Sequence, residues 1–587
     1  MKVLLLHPED HFENFAGVWR WDLIVDLARS PSSSYERWSR AAGCPVISLH
    51  QFEEETEDLH YTRELLQSGM HQVVDRFGID WWDVLSLMLV ADLQGVMLVR
   101  RLAKGLTPDC DLFSSRPGPL VDALQALIGR KVTGLKSGAG AVFRRLQRYR
   151  DALRQLEGTQ LAQVLQDKFD REHAIRRRLA RRIQRSERPV VLLPSAYINV
   201  SRTAVAYASV VPTQQFLLVV ARNSGKLTNL PPNVSSRSLD SYFAPANREE
   251  ISSLLESWAK LKGHLVGAAE EFSVASRAGI LERMPGLIRW GVAVRNAWAK
   301  LFDAENLVGC LCADDSNPYT RIPLILAEQR ALPALACHHG AMDARMAMKT
   351  QHGDFYLAKS EMERDYLVRF CRVAPEKVLI GAPTSKQALS GPKPPDPCKR
   401  QWLVFFTEPY QTAAWRTSEV YRDLLPRLVS LARNCGLKLV FKLHPFESVK
   451  GHRRVLRQYL TKEEECQVDV LGGPLSAAVW QNIRFAMTVQ STVALECAQV
   501  GIPVFLCAWL RDPYLGYIDQ FARFGVGQVL YSPEDMAKVP GMLETPGVGP
   551  LAAYNLWQTI TPEMLQALLS GTYVAESPIK SEAVGQR

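Results

Sequence analysis

Leu437-Lys438-Leu439-Val440-Phe441-Lys442-Leu443-His444-Pro445 and Phe485-Ala486-Met487-Thr488-Val489-Gln490-Ser491-Thr492 together set the architecture. Each is an apolar run of strand length that breaks into polar residues, as a buried strand of an open α/β sheet does at its carboxyl end. Ligands of such sheets bind outside those ends. Val493-Ala494-Leu495-Glu496-Cys497-Ala498 then reads as a helix, with Ser491 or Thr492 at its N-cap. Its free N–H groups and dipole favour an anion. With Lys442 and His444 from the neighbouring strand end, the expected product is a phosphate pocket.

Outward from these stretches, the same α/β rhythm recurs. After them Pro503 to Leu506 reads as a strand, and before them Trp402 to Phe406 opens the series. Ahead of that lies Ser390-Gly391-Pro392-Lys393-Pro394-Pro395-Asp396-Pro397, where prolines remove backbone donors and leave a semi-rigid spacer. Towards the N-terminus, strands are expected at Val3–Leu6, Pro45–Leu49, Val190–Pro194, Phe216–Val220, Leu307–Leu311, Ala334–Cys337 and Val378–Pro383. Cys110–Phe113 and Lys131–Thr133 fit more weakly. Helices are expected over Trp19–Arg29 and Thr320–Arg330, and through 248–302 with Trp258, Trp290 and Trp298 on buried faces. The polar stretch 137–188 reads as a helical insertion. The resulting division is a front half 1–384, a linker 385–400, a rear half 401–570 and a tail 571–587.

A chain of 587 residues exceeds one core, so two or more domains are expected. Its 47% apolar and 22% charged composition is that of an ordinary globular protein. The net charge of +9 favours anionic ligands without requiring them. Eleven scattered cysteines make no disulfide framework, and Cys310-x-Cys312 is wrongly spaced for zinc even with His338-His339 nearby. Thiols in a reducing cytoplasm are the simplest account. Met1 to Leu6 is too short an apolar run for a signal peptide, and no stretch reaches the ~20 residues of a spanning helix. Membrane contact is therefore expected to be peripheral.

The strand-KLHP and strand-QSTxxLExxxxGxPV segments, with His338-His339-Gly340 at a strand end of the front half and Phe355–Glu363 after it, resemble the GT-B glycosyltransferase superfamily. Within it they are most similar to bacterial surface-polysaccharide transferases: capsule Kdo and polysialic acid transferases and CDP-glycerol glycerophosphotransferases. The likeness covers roughly 305–510. Nucleotide-sugar 2-epimerases share the fold but usually carry a Ser-Gly-Gly step where this chain has Ser491-Thr492-Val493.

The resemblance implies an α/β protein of two Rossmann-like domains facing across a cleft, metal-independent and without a cofactor. It implies a nucleotide-activated sugar donor, a cytidine nucleotide favoured, and a glycan or lipid-linked acceptor in polysaccharide (capsule) biosynthesis. The location implied is cytoplasmic, at the inner face of the membrane. His444 would contact the donor phosphate, where an imidazole stabilises the departing nucleotide, with Lys442, Ser491 and Thr492 beside it. Glu496 and Glu408 would meet the ribose or base. For the base, Asp315 and His339 rank level; adjacent Asp314-Asp315 raise one another's pKa, yet Asp-Asp-Ser-Asn-Pro is equally a turn and helix cap. His7, Asp10 and His11 are candidates for acceptor binding.

Two rival functions stand beside transfer. A nucleotide-sugar epimerase or hydrolase acts on the donor alone, and a non-catalytic GT-B-like protein binds glycan or nucleotide without turnover. The arginines Arg171, Arg176, Arg177, Arg178, Arg181, Arg182, Arg185 and Arg188 form a solvated helix by default and a lipid contact by analogy. Nucleic acid is not expected, because no aromatic interleaving accompanies the charge.

Overall fold

A computed structural model describes residues 1–135, 188–383, 400–544 and 558–573, less 9, 11, 16–18, 29–34, 108, 341, 343, 409–416, 445–446, 474 and 511–516. The insertion (apart from Arg188), the Pro-rich spacer, His11, Pro445 and the tail beyond 573 lie outside the described residues.

Three wholly parallel sheets make up the described chain, where the sequence division allows two. The first joins β1 (Lys2–Leu6), β2 (Leu23–Asp26), β3 (Val46–Ser48), β4 (Asp111–Ser114) and β5 (Thr133–Gly134) in the order β3-β2-β1-β4-β5. The second holds β6 (Val190–Ser195), β7 (Phe216–Val220), β8 (Val234–Ser238), β9 (Leu307–Cys312), β10 (Ala334–Cys337), β11 (Phe355–Ala358) and β12 (Val378–Ile380), ordered β12-β11-β10-β9-β6-β7-β8. The third holds β13 (Trp402–Phe406), β14 (Lys438–Lys442), β15 (Val468–Leu471), β16 (Ile483–Thr488), β17 (Val504–Cys507) and β18 (Gln528–Leu530), ordered β15-β14-β13-β16-β17-β18. Each sheet begins at an interior strand and reverses direction beside it, the doubly wound Rossmann order.

The front half is thus two sheets, yet they are not independent. One continuous apolar cluster runs from Val3, Leu5 and Val25 through Trp81, Trp82, Trp258 and Trp298 to Leu192, Leu217 and Cys310. Trp82 and Trp258 stack with ring centroids 5.8 Å apart. Trp290, also expected inside, is only half-buried and meets Tyr319 edge-on. Gly291, on the helix Met284–Ala304, lets that helix approach Trp81; a Cβ there would lie 2.3 Å from Cζ3. Gly291→Ala is therefore expected to destabilise by about 1–3 kcal/mol through overpacking, outweighing the better helix propensity of Ala. The urea midpoint checks this.

The helix expected over Trp19–Arg29 is instead the strand β2. Leu23-Ile24-Val25 pairs residue for residue with Val3-Leu4-Leu5, and burying a β-branched run on both sheet faces overrides a short helical pattern.

In the third sheet alternation divides the core. Leu403 and Phe405 pack in one cluster with Tyr421, Leu439 and Phe441, while Val404 and Phe406 pack on the other face with Val440, Ala494 and Leu495. Met362, from the front-half helix Glu361–Arg369, joins that second cluster and ties the two halves.

The rear half does not run to residue 570. Ala382 pairs with Thr559, and Ile560, Leu565, Leu568 and Leu569 bury against Val191, Leu193, Leu311 and Leu335 of the second sheet. The helix Pro562–Leu569 therefore returns to the front half, where its apolar face packs on β9 and β10. Among the described residues no helix is long and apolar enough to cross a membrane.

Candidate functional site

The third sheet reverses between β13 and β16, which opens a crevice at their carboxyl ends. Three loops line it. After β13 come Thr407 and Glu408; after β14, His444; after β16, Gln490 to Thr492. Backbone and side chains tie them together. The His444 N–H donates to Thr407 Oγ1 at 3.1 Å and to Glu447 Oε2 at 3.2 Å. The Gln490 N–H donates to Glu408 Oε1 at 2.7 Å, so Glu408 holds the serine loop rather than projecting freely.

Ser491, not Thr492, supplies the capping oxygen: Ser491 Oγ accepts from the Val493 N–H at 3.4 Å. Thr492 is already helical at φ −62° and makes no side-chain cap. Lys442 is buried and donates Nζ to the carbonyls of Leu443 (3.1 Å) and Gly473 (2.7 Å), which leaves one hydrogen for a ligand. Burial first, then the positive charge of Arg202, lowers its pKa, with Glu447 opposing. Arg202 belongs to the front-half helix Ile198–Ala208, so the second sheet also contributes a cation here.

His444 is half-buried. Burial, with Lys442 and His339 nearby, brings its pKa down to about 4, so at neutral pH it is an uncharged imidazole. A neutral ring still donates one N–H to a phosphate oxygen. Glu496 is half-buried rather than an ordinary surface glutamate. Desolvation raises its carboxyl to about 7, against the pull of Lys359 from the facing lobe.

From the second sheet, Asp314 follows β9 and His338-His339-Gly340 follow β10. A Cβ on Gly340 would sit 3.5 Å from Thr492 Cγ2, so this step meets the serine loop across the cleft. His339 Nδ1 lies 3.7 Å from Asp314 Oδ2, and Asp314 Oδ1 accepts from Ser316 N–H (2.8 Å) and Oγ (2.6 Å). Burial alone would raise Asp314; His339, His338 and Ser316 more than offset it and bring it to about 2. Lys359 Nζ donates to Gly340 O at 3.1 Å and pairs with Glu363 at 2.6 Å.

Of the two base candidates only His339 keeps its place. Asp315 is buried, and its carboxylate pairs with Lys349 Nζ and lies 3.6 Å from Arg321 Nη1. That is a compensated structural charge, and Asp314 is the aspartate turned to the histidines. His7 and Asp10 sit at the carboxyl edge of the first sheet, where His7 Nε2 meets Ser114 Oγ at 3.0 Å and Asp10 pairs with Arg116 at 2.9 Å. Arg202, Lys359 and Glu447 carry no role predicted from the sequence, whereas Asp314 enters there beside Asp315 in the pair considered for the base. Of the other three, only Glu447, three residues past His444, had a positional signal.

Asp314, His338 and His339 offer ligand atoms within 4.8 Å of one another, a set able to hold a divalent cation. The Lys359 ammonium on Gly340 O puts positive charge beside it, which disfavours one.

No family model and no curated protein matches this sequence. Similar solved structures include the UDP-GlcNAc 2-epimerase from Methanocaldococcus jannaschii, with 10% identity, 65% of this chain and 99% of that one covered, and a TM-score of 0.40. CalG4, the calicheamicin glycosyltransferase, overlaps at 12% identity, 66% and 94% coverage and a TM-score of 0.36. The wall teichoic acid polymerase TagF overlaps at 9% identity, 73% and 92% coverage and a TM-score of 0.36. Strand order, rather than these overlaps, defines the architecture: the second and third sheets are both Rossmann-like and meet across a cleft where Gly340 approaches Thr492, with the first sheet added at the front.

Proposed function

We propose that this protein is a glycosyltransferase that moves a sugar from a nucleotide-activated donor onto a glycan or lipid-linked acceptor. One observation supports the reading: a crevice of the rear lobe that gathers Lys442, His444 and the Ser491–Thr492 loop faces an Asp–His pair of the front lobe, with Gly340 against Thr492. In this reading His444, the remaining Lys442 hydrogen and the Ser491–Thr492 amides hold the donor phosphate, and Glu496 meets the ribose. His339, oriented by Asp314, takes the proton of the acceptor hydroxyl as the bond to the anomeric carbon forms. No metal is used, because the cations already present can neutralise the leaving phosphate. A cytidine donor, a role in surface polysaccharide and a place at the inner face of the membrane follow from the motif resemblance.

The test is thermal unfolding with CMP, CDP, UDP, GDP and ADP. One nucleotide class is expected to stabilise the protein by about 2.7 kcal/mol at a hundredfold excess over Kd, and the others not. Absence of any shift would overturn the proposal. Donor breakdown without acceptor would instead support an epimerase or hydrolase.

A further inference from the structure

We propose that Glu447 is a positioning residue for the donor phosphate, and that its uncharged form is the one competent to bind. The inference rests on the donor site proposed above. Glu447 Oε2 accepts from the His444 N–H at 3.2 Å and from the Thr407 hydroxyl, while the Glu447 N–H returns to His444 O at 2.9 Å. One carboxyl thus fixes the His444 backbone to the end of β13 across the crevice.

The groups facing it explain why it resists ionisation. His452, on the helix Val449–Leu456, lies 3.9 Å from Oε1, but burial holds its pKa down to about 3, so it brings no charge. Tyr421 contacts that histidine at 3.2 Å and is itself buried and neutral. Lys442 faces the carboxyl with its ammonium engaged by two carbonyls. His444 presents its neutral ring. Burial raises the Glu447 carboxyl to about 7; the Thr407 and His444 hydrogen bonds and Lys442 offset this only in part.

A phosphate beside His444 and Lys442 penalises a second negative charge, so ligand binding and protonation of Glu447 support one another. Ionisation would weaken the donor by up to about tenfold per pH unit above neutrality. Glu447→Gln keeps an oxygen acceptor for both donors and removes the titration.

The experiment measures Kd by calorimetry from pH 6 to 8.5 for the nucleotide that binds wild type best, on wild type, Glu447→Gln and Glu447→Ala. The ratio of Gln-variant to wild-type Kd cancels titration of the ligand phosphate and of His339. It is expected near one at pH 6 and to fall about tenfold per unit above pH 7. Glu447→Ala is expected to bind at least tenfold more weakly throughout. A ratio flat with pH, or wild-type affinity in Glu447→Ala, overturns the role of Glu447 and leaves the donor site standing. If Glu447→Ala does not fold, the Gln ratio decides alone. Failure of every nucleotide to bind wild type overturns the donor site and this inference together.

Discussion

His444→Ala is expected to lower kcat/KM for donor turnover by about 10²- to 10³-fold, the cost of removing one donor aimed at developing charge. The residue stands where the sheet order places a ligand, its backbone fixed by Thr407 and Glu447 and its ring facing His339 of the opposing lobe. In the proposed transfer, charge gathers on the phosphate oxygen as the bond to the sugar breaks, and a half-buried N–H would meet it without reorganising water. Because burial and Lys442 hold the imidazole neutral down to about pH 4, His444 itself imposes no loss of activity between pH 5 and 7. Kinetics on His444→Ala and His444→Gln, the latter keeping an N–H donor, separate this role from a packing role. Equal turnover in wild type and His444→Ala would remove His444 from the chemistry. The same loss in both variants, without restoration by Gln, would count against an N–H donor role and in favour of a packing role.

How far such a site can be read from sequence depends on which forces act locally. The central strands β13, β14, β16 and β17 are buried on both faces, so they stand out as unbroken apolar runs. The strands β15 and β18 lie at the edges of the sheet with Val468, Asp469, Gln528 and Val529 only half-buried, and they leave no such trace. Sheet membership is not local at all. Nothing in Val3–Leu6 or Val190–Pro194 says that they nucleate different sheets, because partner choice is settled by packing across the shared tryptophan layer. The crevice was legible because turn residues mark strand ends. The orientation of side chains within it was not. Asp314 and Asp315 are neighbours that point to opposite fates, one to the histidines and one to buried Lys349 and Arg321, and only the surrounding cations decide which. The burial of Glu496 and its pairing of charge with Lys359 could not be read locally, because Lys359 belongs to a lobe remote in sequence.

The same cations hold the front half together, and Arg321→Met is expected to cost about 3–5 kcal/mol, the loss typical when one partner of a buried ion pair is removed. Arg321 is fully buried on the helix Pro318–Gln329 beside the second sheet. It donates Nη2 to Asp83 Oδ2 at 2.6 Å, and Asp83 sits on the helix Trp81–Ser86 of the first. Desolvation would raise Asp83, but Arg321 and His352 keep it ionised well below the usual carboxylate range. Without Arg321 that charge falls to His352, whose ring lies between Asp83 Oδ2 (3.2 Å) and Glu328 Oε2 (2.9 Å). Burial opposes the imidazolium, yet the two carboxylate bonds raise its pKa above the ordinary value near 6.5. A raised folded pKa gives stability that is complete below the unfolded value and is lost as pH climbs through the folded one. Arg321→Met should therefore fall further behind wild type at pH 9 than at pH 6. Adding Asp83→Asn removes the stranded charge and should recover part of the loss, while Asp315 keeps Lys349. Urea unfolding at both pH values compares the three proteins. A loss under about 1 kcal/mol in Arg321→Met would place the pair among screened ion pairs of little weight, and would leave the tryptophan layer as the bond between the two sheets.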